Sequence, residues 1–197
     1  MSRFIKTELV PAPLLEVPAG FLLVAPNSVR VRGLSAQSLY QIGKASLKKR
    51  GFGIATPMLA ADALRTTVRT VLPNVDASSV ARHYREIIAE ILRSGICTDK
   101  LAASGSERAH DAALIADSYR AILQDARLID SDAVLAEAVR PNVIEPRSVL
   151  VYGYFRGRQL PARPEEIEFI DRLAGDGSIF YLPSCDAPMF SANREWI

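Results

Sequence analysis

The chain has 197 residues, 49% of them apolar and 23% charged, with 24 basic against 22 acidic side chains for a net charge of +2. That composition excludes a largely disordered chain and allows one sizeable core, or a core with a subdomain inserted into it. The near balance of charge gives no sign of a general nucleic-acid-binding surface, so any grip on phosphates has to come from a local patch.

Cys97 and Cys185 are the only cysteines and lie far apart, too few for a disulfide framework or a zinc site by themselves. They read as incidental thiols of a reducing cytoplasm. His83 and His110, the only histidines, both fall inside helical patterns, which argues against a His-based metal site or a Ser-His-Asp triad. The sequence has no apolar run long enough to cross a membrane. At the N-terminus, Glu8, Pro11, Pro13, Glu16 and Pro18 interrupt what would be the apolar region of a signal peptide, so the segment reads as an irregular lead-in to a strand.

Taken in chain order, FLLVA at 21–25 is a short run apolar on both faces, which predicts a buried strand. Asn27 and Ser28 follow as a turn, and Val29 to Arg32 alternate as a brief extended segment. Ser35 is the expected cap of a helix over 36–49. Lys48, Lys49 and Arg50 complement its dipole and Gly51 ends it. Helices are then expected over 59–72, 78–93, 106–126 and 131–139, the last after an Asp130-Ser131 cap. SVLVYGY at 148–154 predicts a second buried strand, Pro164 a helix to 174, and SIFYL at 178–182 a third strand. Strand, helix and strand in that order predict a right-handed crossover in a parallel sheet. The helical segment is too long for a simple crossover and reads as an inserted bundle. The expected domains are 1–55, first part of an α/β core; 56–142, inserted helical subdomain; and 143–197, second part of the core.

A parallel sheet with a polar, basic turn after a strand invites a test for nucleotide binding. GxxxxGK[ST] and GxGxxG are both absent, and the nearest glycine-lysine pair, Gly43-Lys44, lies in a helix and is followed by Ala45. The strand that would supply a magnesium-holding carboxylate ends in Tyr152 and Gly153. No ATPase activity, catalytic residue, metal or cofactor is therefore expected in this chain.

The ordered segments resemble the degenerate first motor domain of superfamily I helicases, especially AddB-type subunits of helicase–nuclease complexes. VAPN at 24–27 is similar to their strand-plus-TPN element, and SAQSL at 35–39 to their TFHSL element. Tyr119-x-x-Ile-Leu followed by Leu128-Ile-Asp130 resembles part of their helical insertion. VLVYGYFRGRQLPARPEEIEFIDRLA resembles the segment in which active motors carry an Asp-Glu pair, with Tyr152 and Gly153 at those degenerate Walker B-like positions. The phosphate-loop region and the helix normally between the two DNA-touching elements are missing, and the Gln of the family's QD pair is not kept.

The resemblance implies an α/β fold: a parallel RecA/P-loop-like sheet with an inserted all-helical subdomain. It implies a non-hydrolysing, structural role in a DNA recombination or repair helicase–nuclease, within a longer parent protein that carries a nuclease domain. Single-stranded DNA and a helicase or nuclease subunit are the partners it expects. Asn27, Ser28, Arg30, Arg32, Ser35, Gln37 and Ser38 are the candidate DNA contacts, although serine and asparagine also serve as turn and cap residues for local reasons. The alternative is a protein–protein module whose helices dock a motor or nuclease subunit, which predicts an exposed apolar patch between residues 59 and 139.

Overall fold

A computed structural model of the chain describes residues 4–7, 17, 19–26, 34–152, 163–175, 177 and 179–182. In chain order the elements are β1 (Phe4–Thr7), β2 (Leu22–Val24), α1 (Leu39–Lys49), β3 (Gly53–Ile54), α2 (Pro57–Val71), α3 (Ala77–Ser94), α4 (Thr98–Ala102), α5 (Glu107–Asp125), β4 (Leu128–Ile129), a 3-10 turn (Ser131–Ala133), α6 (Val134–Ala138), β5 (Val149–Tyr152), α7 (Pro164–Ala174) and β6 (Ile179–Leu182). They fall into two compact units, one of Met1–Gly43 with Val139–Ile197 and one of Lys44–Ala138.

In the first unit the strands run parallel in the order β1-β6-β5-β2. All four residues of β5 are buried, as an apolar strand between two neighbours requires. Leu23, Leu150 and Tyr152 form a buried cluster, with Val17, Phe21, Leu34 and Ala36 packed against it. The outer edge of β2 is extended by a single residue. The Gln37 N–H donates to the Leu23 carbonyl and the Gln37 carbonyl accepts from the Ala25 N–H, both at 3.0 Å. α7 begins on Pro164, whose missing N–H costs nothing at a helix start, and the Glu166 side chain accepts from the Arg163 N–H at 2.9 Å. Phe169, Ile170, Leu173 and Ala174 make its buried face.

The second unit is helical. Thr56, Asp76 and Ser106 cap α2, α3 and α5 through their side chains. Alanines Ala60, Ala63, Ala81, Ala89, Ala112, Ala113 and Ala116 are buried among Leu64, Val68, Ile88, Leu92 and Ile115, so the helices pack through small residues. Thr67 is fully buried and satisfies its hydroxyl by donating to the Ala63 carbonyl at 2.9 Å. β3 and β4 form a two-residue parallel pair, where a Cβ on Gly53 would come within 3.1 Å of Leu128 Cδ2.

The α/β class, with a parallel RecA/P-loop-like sheet as the organising core, is overturned. More than half of the described residues are helical, and the strands make only two small parallel sheets. The apolar runs at 21–25, 148–154 and 178–182 yield strands of three or four residues, with one helix, α7, joining β5 to β6. Much of the apolar burial instead lies between helices of the second unit. α1 also starts later than expected, at Leu39. The expected helix over 131–139 divides into the 3-10 turn and α6. β1, β3, β4 and α4 are additional elements, and the extended segment expected at 29–32 lies outside the described residues.

Gly175 ends α7 at φ +54, ψ −122, where an added Cβ would sit 2.8 Å from the Pro146 Cβ. Gly175→Ala should therefore lower unfolding stability by about 1–3 kcal/mol through backbone strain alone, more if Pro146 cannot move. Chemical denaturation followed by circular dichroism checks this, and an unchanged midpoint would refute it.

Candidate functional site

Of the candidate DNA contacts, Asn27, Ser28, Arg30 and Arg32 lie outside the described residues, as does Gly153. Ser35 and Gln37 are exposed, and Gln37 is pinned by its backbone to β2. Ser38 is buried and serves α1. Its hydroxyl accepts from the Gln41 N–H at 3.2 Å, while Gln41 Oε1 accepts from the Ser38 N–H at 2.9 Å. This reciprocal pair satisfies two helix-start donors, the role expected of Ser35. Tyr152 is 2% exposed and packs with Leu23 and Leu150. Among the described residues no group of three or more His, Cys, Asp or Glu side chains is placed to hold a metal ion. No helix among them is long and apolar enough to cross a membrane.

The helical unit carries a different feature, an open groove of about 530 Å³ between α3, α4 and α5. Its apolar lining comes from Ile87 and Ile91 on α3, Ile96 after it, Leu101 on α4, and Ala109 and Ala112 on α5. Glu86, Glu90, Ser106 and Arg108 supply the polar part of the lining. The local sequence sets this shape. Gly95 closes α3 in the left-handed conformation at φ +63 and turns the chain, leaving Ile96 47% exposed. The five-residue α4 is held to α5 where the Thr98 hydroxyl donates to Asp117 Oδ1 at 2.8 Å. Arg108 Nη2 lies 2.7 Å from His83 Nε2 and so bridges α5 to α3. Beside Ile96, Cys97 is an exposed free thiol.

The sequence reading expected an exposed apolar patch between residues 59 and 139 but assigned no particular side chain to it, although a signal was present. α3 carries Ile87-Ile88 and Ile91-Leu92, two adjacent apolar ridges where one suffices to seat a helix. Ile88, Ile91 and Leu92 are buried, while Ile87 is half-buried against the groove.

The second half of α5 carries a buried polar latch. The Tyr119 hydroxyl donates to the Asp130 carboxylate, which also accepts from the Asp132 N–H at 2.8 Å and the Ser131 hydroxyl at 3.4 Å. Burial, then the hydrogen bond to Asp130 and the charge on that carboxylate, push the Tyr119 phenol well above its ordinary value, against a smaller opposing effect of Arg85. Burial and nearby Asp111 also raise Tyr84.

No family model matches this chain, and no curated protein matches it.

The phenols give a direction for alkaline stability. A folded-state value raised above the ordinary 10.0 means that the stability contribution is complete below about pH 10 and is lost as the pH rises above it. Wild-type unfolding midpoints should therefore fall above that pH, and Tyr119→Phe should fall less steeply. At neutral pH the same substitution should cost about 1–3 kcal/mol, because it leaves a buried carboxylate short of a donor. Midpoints of the two proteins that fall in parallel above pH 10 would contradict this.

Proposed function

We propose that this chain is a non-hydrolysing interaction module whose helical unit docks a partner protein. The observation that carries this reading is the open apolar groove between α3, α4 and α5. Apolar side chains gathered in an open concavity rimmed by polar residues suit the docking of a partner's apolar side chains. The other large apolar side chains exposed among the described residues, Met58, Leu59, Val75 and Leu114, also belong to this unit. The sequence resemblance supports a partner that is the motor or nuclease subunit of a DNA recombination and repair helicase–nuclease. It also supports a cytoplasmic setting.

Single-stranded DNA contact is the second reading. It is favoured by the exposed Gln37, whose backbone is fixed on the edge of β2, and by exposed Ser35 nearby. Asn27, Ser28, Arg30 and Arg32 would complete that contact.

Two experiments separate the readings. In affinity purification of the full chain, a motor or nuclease subunit identified by mass spectrometry should copurify. Ile96→Asp should reduce its recovery about tenfold or more, as loss of an interface anchor does. Arg30→Ala, Arg32→Ala and Lys49→Ala should leave recovery unchanged. Absence of such a subunit, or recovery indifferent to Ile96→Asp, would defeat the docking reading. For DNA, anisotropy of a labelled single-stranded oligonucleotide should show binding that weakens steeply with salt and weakens further in Gln37→Ala. An oligonucleotide that stays free at low salt removes the second reading.

A further inference from the structure

We propose that the groove takes an amphipathic α-helix of the partner, apolar at i, i+4 and i+7, with lysines or arginines on the flank that meets α3. This rests on the interaction-module reading and names what that site would hold. Both long walls of the groove are helices, whose backbone groups are bonded internally, so no strand edge is offered for an added strand. Recognition has to run through side chains. Ile87 and Ile91 stand one helical turn apart, about 6 Å along α3, the spacing at which the ridges of a second helix interlock. On the facing wall, Ala109 and Ala112 are small and allow a close approach.

Charge selects the flank. Glu86 and Glu90 lie four residues apart on α3 and both line the groove. Glu90 accepts from Arg93 Nη1 at 2.6 Å, but Arg93 is shared with Asp132, which lies 3.1 Å from its Nη2. Glu86 has no ion-pair partner among the described residues. On the opposite wall, Arg108 keeps its positive charge while it bonds to His83, so the two walls differ in sign. The α3 rim is acidic chiefly through Glu86, which favours a cationic flank against that wall, while Arg108 makes the facing wall cationic. A small ligand of matching volume would need convergent polar groups to orient it. Here the inner lining is aliphatic and the charges belong to the helix rims.

The test uses the purified full chain and two labelled, designed helical peptides of about 18 residues, long enough to hold a helix. They share one leucine face and differ only in carrying lysine or glutamate on the flank. At low salt the lysine peptide should bind about fivefold or more tighter, the worth of two exposed ion pairs. High salt should erase the difference. Glu86→Lys should reverse or abolish the preference with the circular dichroism spectrum unchanged, and Ile96→Asp should abolish binding of both peptides.

Equal affinities, no binding of either peptide, or binding that survives Ile96→Asp overturns the inference. So does a dimer on gel filtration that Ile96→Asp dissociates, which would make a second copy the occupant. A motor or nuclease subunit still captured and still released by Ile96→Asp, beside peptides that do not discriminate, would sink this inference and leave the interaction module standing.

Discussion

The buried carboxylate of Asp130 is the constraint on which the helical unit depends. A carboxylate that is 4% exposed needs donors, and it finds three: the Tyr119 hydroxyl, the Asp132 N–H and the Ser131 hydroxyl. The first reaches back into α5, while the other two start the 3-10 turn that leads into α6. One carboxylate thereby ties the second half of α5 to the chain that follows it. Asp132 in turn holds Arg93 near the end of α3. α3 and α5 are thus fixed to a common turn, which sets the spacing of the two walls of the groove. Among the described residues no buried side-chain nitrogen or oxygen lacks a partner, so these polar groups are spent on holding the helices in place.

That fixed spacing explains why the groove does not collapse. Closing it would require α3 and α5 to approach along their whole length, against the latch at one end and the Arg108–His83 bridge nearer the other. α4 is too short to cover the opening, and its Thr98–Asp117 bond holds it to α5. Met58, Leu59 and Val75 lie elsewhere on the unit, on α2 and the turn after it.

Helices were legible in the sequence because their signals are redundant. Periodicity, caps and stops agree at Asp76 and Gly95 for α3, and at Ser106 for α5. The start of α1 was misjudged for an instructive reason. Two serines precede it, but only Ser38 has a glutamine three residues on, and the reciprocal Ser38–Gln41 bonds decide the cap. Two-residue strands such as β3 and β4 have no periodicity to detect, and their pairing depends on residues 75 positions apart. The apolar runs located three strands, but an apolar run does not reveal how much of a chain its sheet organises. That is why the α/β class failed while Val149–Tyr152, Pro164–Ala174 and Ile179–Leu182 formed close to where they were expected. An exposed apolar patch was expected between residues 59 and 139, but its members could not be told from the core, because an apolar side chain facing solvent looks, in sequence, like one facing inward.

The doubled ridge on α3 connects folding to use. Tyr84, Ile88, Ile91 and Leu92 are buried in the unit and seat the helix. Ile87, one position before Ile88, adds apolar surface toward an opening. Leaving such surface wet forgoes about 25 cal/mol for each Å² that could be covered. A polar residue at 87 would avoid that loss without disturbing the packed ridge. The same holds for Ile96, which follows the Gly95 turn and packs too little to be needed for the core. Both costs are recovered only when something apolar lies against them. In the proposed docking, rigid walls would keep the loss of conformational freedom small, and Glu86 would draw the cationic flank of the arriving helix to the α3 side.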